Sequence, residues 1–485
     1  MRTAIIGGGI AGLAAAYELE KARAAGVAVD YTIYEARGRL GGVMASEVVN
    51  GAVLERGPDS FLTEKPAAAE LCRELGLSDS LIASNDAARK TYILVKNKLI
   101  PLPDGLMFLV PTKLIPMALT PLFSLGTKIR MGLELLHSPR PSSGEDEAVA
   151  TLVERHYGRE AVDRLADPLL RGIYGGDATQ LSARTVLPRL VEMESAYGSL
   201  TRGMLAAHRS MRAATKKNGG AGRNRVNGPR PVFTTLRGGL QQLIDALHLA
   251  LNPAAVRLST TVSALSKVSS GWRVETSGIG EMYDSVIVCT PAWAAGVLLS
   301  PVDAALGEEL SAIPYSSSIT VNLLYDEASL GPLPDGFGFL VPVSEGRRMM
   351  ACTFVHRKFL ERTPPGKAIL RAFLGGVKNE ALLAETDDGL VAMVRNELRE
   401  ILSIDAEPEY TQVSRWRRAM AQYAVGHQAR AKRVAERVST LAGLKLAGNA
   451  YDGIGISDCI RAGRSAAKEL LAANQTAEPV GSTGR

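Results

Sequence analysis

Three glycines at G-x-G-x-x-G spacing between a short strand and a helix, a second glycine-rich strand, turn and helix near the carboxy terminus, and a group of alternating strands between them together predict an α/β chain. The predicted architecture is a Rossmann-like dinucleotide-binding domain, an antiparallel-sheet substrate domain and an inserted, mainly helical domain. At 485 residues the chain is too long for one ordinary core. Its 46% hydrophobic and 22% charged residues are those of a globular protein. The excess of 56 Lys and Arg over 50 Asp and Glu is small for this length and does not imply a nucleic-acid partner.

Thr3 to Ile6 read as a short buried strand and Ile10 to Glu20 as a helix rich in Ala and Leu. Between them Gly7 permits a tight turn, Gly9 lets the backbone approach a pyrophosphate, and Gly12 lets helix and strand pack closely. A second strand, Tyr31 to Tyr34, ends at Glu35, where a carboxylate can accept hydrogen bonds from a ribose diol. A glycine-rich connection, Arg39 to Gly42, then leads to a hairpin over Ala45 to Leu54 and to Glu55-Arg56-Gly57-Pro58-Asp59-Ser60.

From 66 to 230 the apolar spacing, as in Leu71, Leu75 and Leu77 or Leu165, Leu169 and Leu170, is mainly helical. Within it Leu106 to Leu125 is the most apolar stretch, but Pro111, Pro116, Pro121 and Lys113 rule out a spanning helix. It reads either as core or pocket wall, or as a surface that docks on a membrane. Between Ser195 and Ile244 there is no acidic residue and a run of arginines and lysines. That run is a solvated surface or an attraction to anionic lipid, and its Gly and Asn-rich middle, Asn218 to Gly228, reads as a loop.

Strand signals return at Val256 to Leu258, Trp272 to Glu275 and Ser285 to Cys289, the last entering Thr290-Pro291. Ile319 to Tyr325, Phe337 to Val341 and Met350 to Phe354 alternate as in an antiparallel sheet, and Asp388 to Leu402 reads as a helix. After Trp416, Tyr423 and His427 a strand at Leu444 to Ala447 feeds a turn and helix over Gly448 to Leu470. There the N–H groups of Gly455, Ile456 and Ser457 could face a flavin carbonyl. Two such units at opposite ends call for one long ligand, and FAD fits better than NAD. The expected domains are 1–65, 235–300 and 410–475 for the nucleotide, 66–230 for the helical insert, and 301–409 with parts of 66–100 for the substrate sheet. Residues 476–485 are expected to form a flexible tail.

Cys72, Cys289, Cys352 and Cys459 have no C-x-x-C or zinc spacing and read as buried thiols in a reducing compartment. The six histidines lack H-x-x-x-H spacing, no G-x-S-x-G occurs, and no metal or protein nucleophile is expected. No leader precedes the first strand, so a cytoplasmic location is expected, with peripheral contact to the inner face of the cell membrane left open.

On these residues the chain resembles the FAD-linked amine oxidase superfamily, and within it the protoporphyrinogen oxidase family, over nearly its full length. GGGIAGLAAAY at 7–17 and EARGRLGG at 35–42 are shared across the superfamily; LRGIYGGDATQLSARTVLPRL at 170–190 and LAGNAYDGIGISDCIRAGR at 446–464 are specific to porphyrinogen oxidation. Supporting matches are GPDSFLTEKP at 57–66, TLRGGLQQL at 235–243, VCTPA at 288–292 and the spacing Trp416, Gln422, Tyr423, Gly426, His427.

The resemblance implies that Gly7, Gly8, Gly9, Ile10, Ala11, Gly12, Glu35 and Ala36 hold the adenosine diphosphate half of a non-covalent FAD. Arg39, Gly41, Gly42, Gly57, Pro58, Asp59 and Ser60 would run beside pyrophosphate and flavin. Val262 would pin adenine through its backbone, while Trp416, Gly455, Ile456 and Ser457 would approach the isoalloxazine. The turn around Gly172 and Gly175 would form a pocket wall, and Arg89 or Lys90 would anchor a propionate. No side chain is implied as catalytic, because the flavin N5 carries the chemistry.

The implied reaction is oxidation of protoporphyrinogen IX or coproporphyrinogen III to the porphyrin in three two-electron steps, with oxygen as acceptor and hydrogen peroxide formed. An amine oxidase, a carotenoid desaturase, and a non-catalytic flavin-bearing scaffold of the haem pathway are the alternatives. A downstream haem-pathway enzyme and a homodimer are left open as partners.

Overall fold

The computed structural model describes residues 1–107, 109–139, 144–217 and 231–477; the loop expected at 218–228 and the tail beyond 477 lie outside them. The strand Arg2–Ile6 is the centre of a five-stranded parallel sheet. Its order is Val256–Arg257, Asp30–Tyr34, Arg2–Ile6, Ser285–Val288 and Leu444–Leu446. Runs such as TAII and SVIV are apolar at nearly every position, as strands covered on both faces must be. Each fully buried Ile or Leu in them contributes about 2 kcal/mol. From the central strand the sheet grows both ways, with Ile6 beside Tyr34 on one side and Val288 on the other. A ligand crevice opens at the carboxyl ends of strands at such a reversal.

The first helix, Ile10–Ala24, lies against the last, Ile456–Ala477. A Cβ at Gly463 would fall 2.0 Å from the Ala11 carbonyl oxygen, so glycine alone permits this approach. That contact brings the two ends of the chain, and both glycine-rich turns, to one side of the sheet. An antiparallel meander, Val262–Val268, Gly271–Thr276 and Ile279–Tyr283, is inserted between two of the parallel strands.

The second large sheet has seven strands in the order Tyr410–Ala421, Tyr315–Asp326, Lys367–Gly375, Ala351–Phe354, Gly338–Leu340, Thr91–Val95 and Lys98–Pro101. It is antiparallel except where Gly338–Leu340 pairs parallel with Thr91–Val95, so the sheet is mixed. Those two strands are joined through the helical insert, and no hairpin fixes their relative direction. Tyr410–Ala421, placed with the nucleotide part by sequence, is an edge strand of this second sheet. Arg415, Arg417 and Arg418 obscure its pattern while discouraging edge-to-edge pairing. Lys367–Gly375 escapes sequence reading because it is apolar on both faces and has no strand period.

Ala67–Glu74 packs with the nucleotide-sheet core against the last helix, and the insert beyond it is helical over Leu125–Leu133, Val149–Tyr157, Asp167–Tyr174, Pro188–Tyr197 and Leu200–Lys217. The stretch at 106–125 breaks into two short strands and the helix Leu114–Leu119. Glu134 organises one end of the insert: it accepts the Leu200 N–H at 2.6 Å, the Ser199 hydroxyl at 2.8 Å and the His156 ring at 3.0 Å. Burial opposes charge on His156, but Glu134 and Glu194 on its two ring nitrogens outweigh it and raise its pKa. His137 lies beside this cluster, a grouping that the sequence spacing does not reveal.

Candidate functional site

The amino-terminal turn has the geometry of an anion cradle. Gly7 turns at φ +109°, its N–H donating to the Tyr34 carbonyl at 2.8 Å, and the first helix begins at Ile10 with no side-chain cap on Gly9. A Cβ at Gly9 would meet nothing within 4 Å, whereas one at Gly12 would fall 2.0 Å from the Gly7 carbonyl oxygen. Gly12 therefore serves packing, and Gly9 faces open space at the positive end of the helix.

Glu35 is buried at the end of the second strand. One of its oxygens accepts the Gly8 N–H at 2.7 Å and the other accepts the Arg37 N–H at 2.9 Å, which leaves further lone pairs on each for a diol. Ala36 is exposed beside it. The segment leading to Val262 lies alongside: the Ser259 N–H reaches the Arg37 carbonyl and the Thr260 N–H the Glu35 carbonyl, both at 2.9 Å.

Arg39 is tied to the loop that follows it. Its guanidinium donates to the carbonyls of Leu40, Gly42 and Met44 at 3.0, 2.6 and 3.1 Å, so it shapes the loop containing Gly41 and Gly42. Trp416 joins this loop from the second sheet, 6.0 Å from the Arg39 guanidinium, and its indole N–H donates to the Arg56 carbonyl at 2.7 Å. At Gly57 a Cβ would fall 1.8 Å from the Val43 carbonyl oxygen, which locks Gly57 and Pro58 against that loop.

Asp59 is spent inside the protein. The Lys358 ammonium contacts it at 2.9 Å, the Arg371 guanidinium lies at 3.9 Å, and the Ser60 hydroxyl donates to it at 2.7 Å. Burial would raise this carboxyl, but the two cations outweigh it and hold it below the usual range. Arg371 also donates to the Gly57 carbonyl. The backbone of 57–60, rather than the Asp59 carboxylate, is what remains for a ligand.

At the carboxy-terminal turn the Gly455 N–H donates to Asp458 at 3.3 Å, and the Ser457 hydroxyl donates to the Lys65 carbonyl at 2.9 Å. Among the described residues the N–H groups of Ile456 and Ser457 open the last helix, and the buried hydroxyl of Thr290, just past the strand Ser285–Val288, has no partner. Together the open face of Gly9, the Glu35 lone pairs and this second helix start fit the phosphate, ribose and ring ends of FAD.

The candidate pocket wall folds as a helix end. Asp167–Tyr174 stops at Gly175, which is left-handed at φ +59°; a Cβ at Gly172 would touch Leu340 at 3.2 Å. The Gly175 carbonyl accepts the Val377 N–H at 3.0 Å, and Ile173, Val377 and Val425 keep apolar surface exposed around this turn. Arg89 and Lys90 are exposed, with Arg89 3.6 Å from Asp86. Lys378 lies nearer the turn, paired with Asp177 at 2.9 Å, and sequence reasoning does not single it out. Lys358, at the end of the short helix Val355–Lys358, and Arg371, a cation within an otherwise apolar strand, are likewise missed.

A parallel nucleotide sheet with both end turns on one side, facing a second sheet that closes over them, defines an FAD-dependent oxidoreductase. Its lineage is equally clear from comparison with known sequences. The chain belongs to the flavin-containing amine oxidoreductase family, whose model matches residues 10–471. It is 34% identical to the coproporphyrinogen III oxidase of Bacillus subtilis (strain 168), over 96% of this chain and 97% of that one. It is 28% identical to protoporphyrinogen oxidase 1, chloroplastic, of Arabidopsis thaliana, over 96% and 87%. Among solved structures, one from Exiguobacterium sp. 255-15, provisionally assigned as a protoporphyrinogen oxidase, superimposes with a TM-score of 0.85 at 32% identity, covering 97% and 99%.

Proposed function

We propose that this flavoenzyme oxidises coproporphyrinogen III to coproporphyrin III in haem synthesis, with oxygen as the final acceptor and hydrogen peroxide as co-product. Porphyrinogen oxidation is the activity named for relatives that match nearly the whole chain, and coproporphyrinogen is the substrate named for the 34%-identical one. The observation that carries the reading is the stretch 170–190. It folds into a turn with an apolar rim of Ile173, Val377 and Val425, hydrogen-bonded through Gln422 and Tyr423 to the strand and turn beside the flavin end.

When bound, FAD supplies a hydride acceptor at N5. The chain's own part is to hold and orient the macrocycle. The apolar rim suits a ring system. Lys378 beside Gly175 is a cation within reach of a carboxylate arm, and proton loss from a pyrrole nitrogen goes to water.

Anaerobic mixing of the yellow protein with each porphyrinogen, followed by initial rates in air, tests this reading. Faster bleaching and turnover with coproporphyrinogen III support it; equal or greater rates with protoporphyrinogen IX reassign the substrate, and no bleaching by either rejects the activity.

We also propose that the enzyme is cytoplasmic and touches anionic membranes peripherally. Among the described residues no helix is long and apolar enough to cross a membrane. Ile115 (74% exposed), Leu119, Leu125, Ile129, Leu133 and Leu136 present apolar surface along one segment of the insert. No carboxylate falls between Asp104 and Glu134, while Lys113 and Lys128 do. Co-sedimentation with phosphatidylglycerol vesicles, lost in Ile115→Asp/Leu119→Asp, is the expected result; equal recovery of both proteins overturns it.

A further inference from the structure

The spacing Gln422, Tyr423, Gly426, His427 has no role in the hydride chemistry, yet it occupies the junction of both specific stretches. Tyr423 is 4% exposed, and its hydroxyl sits between the two arms of the carboxy-terminal turn. It accepts the Gly453 N–H at 2.9 Å and donates to the Asn449 carbonyl at 2.9 Å. From the other side the Asn449 amide donates to the Ala419 carbonyl at 2.9 Å. The His427 ring stacks on Tyr423 with centroids 4.2 Å apart and planes 18° from parallel. Burial keeps that imidazole neutral, its pKa pushed down to about 4.

The same segment reaches towards the pocket wall. The Gln422 amide donates to the Tyr174 carbonyl at 2.7 Å and to the Ser316 hydroxyl at 2.9 Å. The Ser182 N–H donates to the Tyr423 carbonyl at 2.8 Å, and the Val425 N–H to the Gln180 carbonyl at 3.0 Å. Backbone contacts therefore fasten 422–425 to the wall, while one phenol oxygen fastens it to the flavin turn.

We propose that Tyr423 is a positioning residue: its hydroxyl fixes the 449–453 turn so that the start of the last helix meets the flavin, and couples that turn to the 174–182 pocket wall. The proposal rests on the FAD reading above. Ala450 and Tyr451 pack the middle of this turn into the core, while its glycine arms, Gly448 at φ +142° and Gly453 at φ +117°, carry no side chain, and the two phenol hydrogen bonds tie one arm to the other.

Tyr423→Phe in the full-length holoenzyme keeps the ring and its stack and deletes only the oxygen. The expected result is FAD binding weakened about tenfold, a flavin absorption spectrum and midpoint potential altered from wild type, and a lower kcat. Amide exchange at 449–453 should quicken as well. Asn449→Ala, which loosens the same turn from its other end, should act in the same direction and carries the test if Tyr423→Phe does not fold. Wild-type protein that retains flavin while both variants keep its spectrum, potential and FAD affinity overturns the positioning role, even if their melting temperatures fall. Wild-type protein that holds no flavin overturns the reading on which it rests.

Discussion

The Glu35 carboxylate accepts the Gly8 N–H at 2.7 Å, so the acid ending the second strand also pins the turn after the first. Two consequences separate by substitution. Glu35→Gln keeps an acceptor for Gly8 and should leave the melting temperature near wild type while weakening FAD binding by about 1–3 kcal/mol, the worth of charged hydrogen bonds to a diol. Glu35→Ala should also lower stability, because a buried N–H is then left unpaired. Flavin retention through gel filtration and thermal melts distinguish them; unchanged FAD affinity in both variants contradicts the ribose role.

The glycines of the first turn should part company in the same way. Gly9→Ala adds a methyl where nothing lies within 4 Å, and Gly9 has φ −73°, which any residue adopts. It should fold normally and lose FAD, since the methyl occupies the cradle. Gly12→Ala drives a methyl to 2.0 Å from the Gly7 carbonyl oxygen, so soluble folded protein should be scarce. Circular dichroism with flavin absorbance reads both. A Gly9→Ala protein that retains full flavin would place the pyrophosphate elsewhere.

What the sequence makes legible is local. Strand, glycine turn, helix, strand and acid all fall within residues 2–35, and their periods and turn chemistry leave few alternatives. The site's remaining machinery is non-local. Lys358 meets Asp59 across 299 positions and Arg362 meets Glu55 across 307, and each charge alone reads as a solvated side chain. The family resemblance places Arg39 beside the ligand, and its contacts with the Leu40, Gly42 and Met44 carbonyls are added by the fold of the loop. Arg89 and Lys90 are exposed just before the strand Thr91–Val95, while Lys378 meets Asp177 from a loop after a strand without a visible period.

Arg362 should be among the costliest single losses. It is 1% exposed and donates to Glu55 at 2.8 Å and to the Thr235 hydroxyl at 2.5 Å, joining the second sheet to the nucleotide part. Arg362, Arg371 and Asn322, whose Nε, Nε and side-chain Oδ1 atoms have no partner among the described residues, line a cavity of about 10 Å³, room for one water. Arg362→Ala removes the hydrogen-bonded counter-charge of the buried Glu55 and should cost about 3–5 kcal/mol. Arg362→Met with Glu55→Gln should recover much of it. Denaturation midpoints of these proteins and of Arg362→Met and Glu55→Gln alone check this, and a double variant whose loss is the sum of those two single losses would show that the pair does not interact.

His427 supplies the pH dependence. Burial lowers its folded pKa to about 4, against about 6.5 in the unfolded chain. Between those values the unfolded state binds a proton that the folded state refuses, so stability from this group is complete above about pH 6.5 and declines as pH falls towards 4. The full span is worth about 3 kcal/mol at 1.36 kcal/mol per unit. His427→Phe keeps an aromatic ring against Tyr423 and removes the titration, so its stability should fall less steeply over that window. Since the ring it supports holds the 449–453 turn, wild-type protein should also release FAD on acidification before it unfolds, and His427→Phe should retain flavin to lower pH. Coincident acid profiles for wild type and variant, in melting temperature and in flavin release, would remove His427 from both roles.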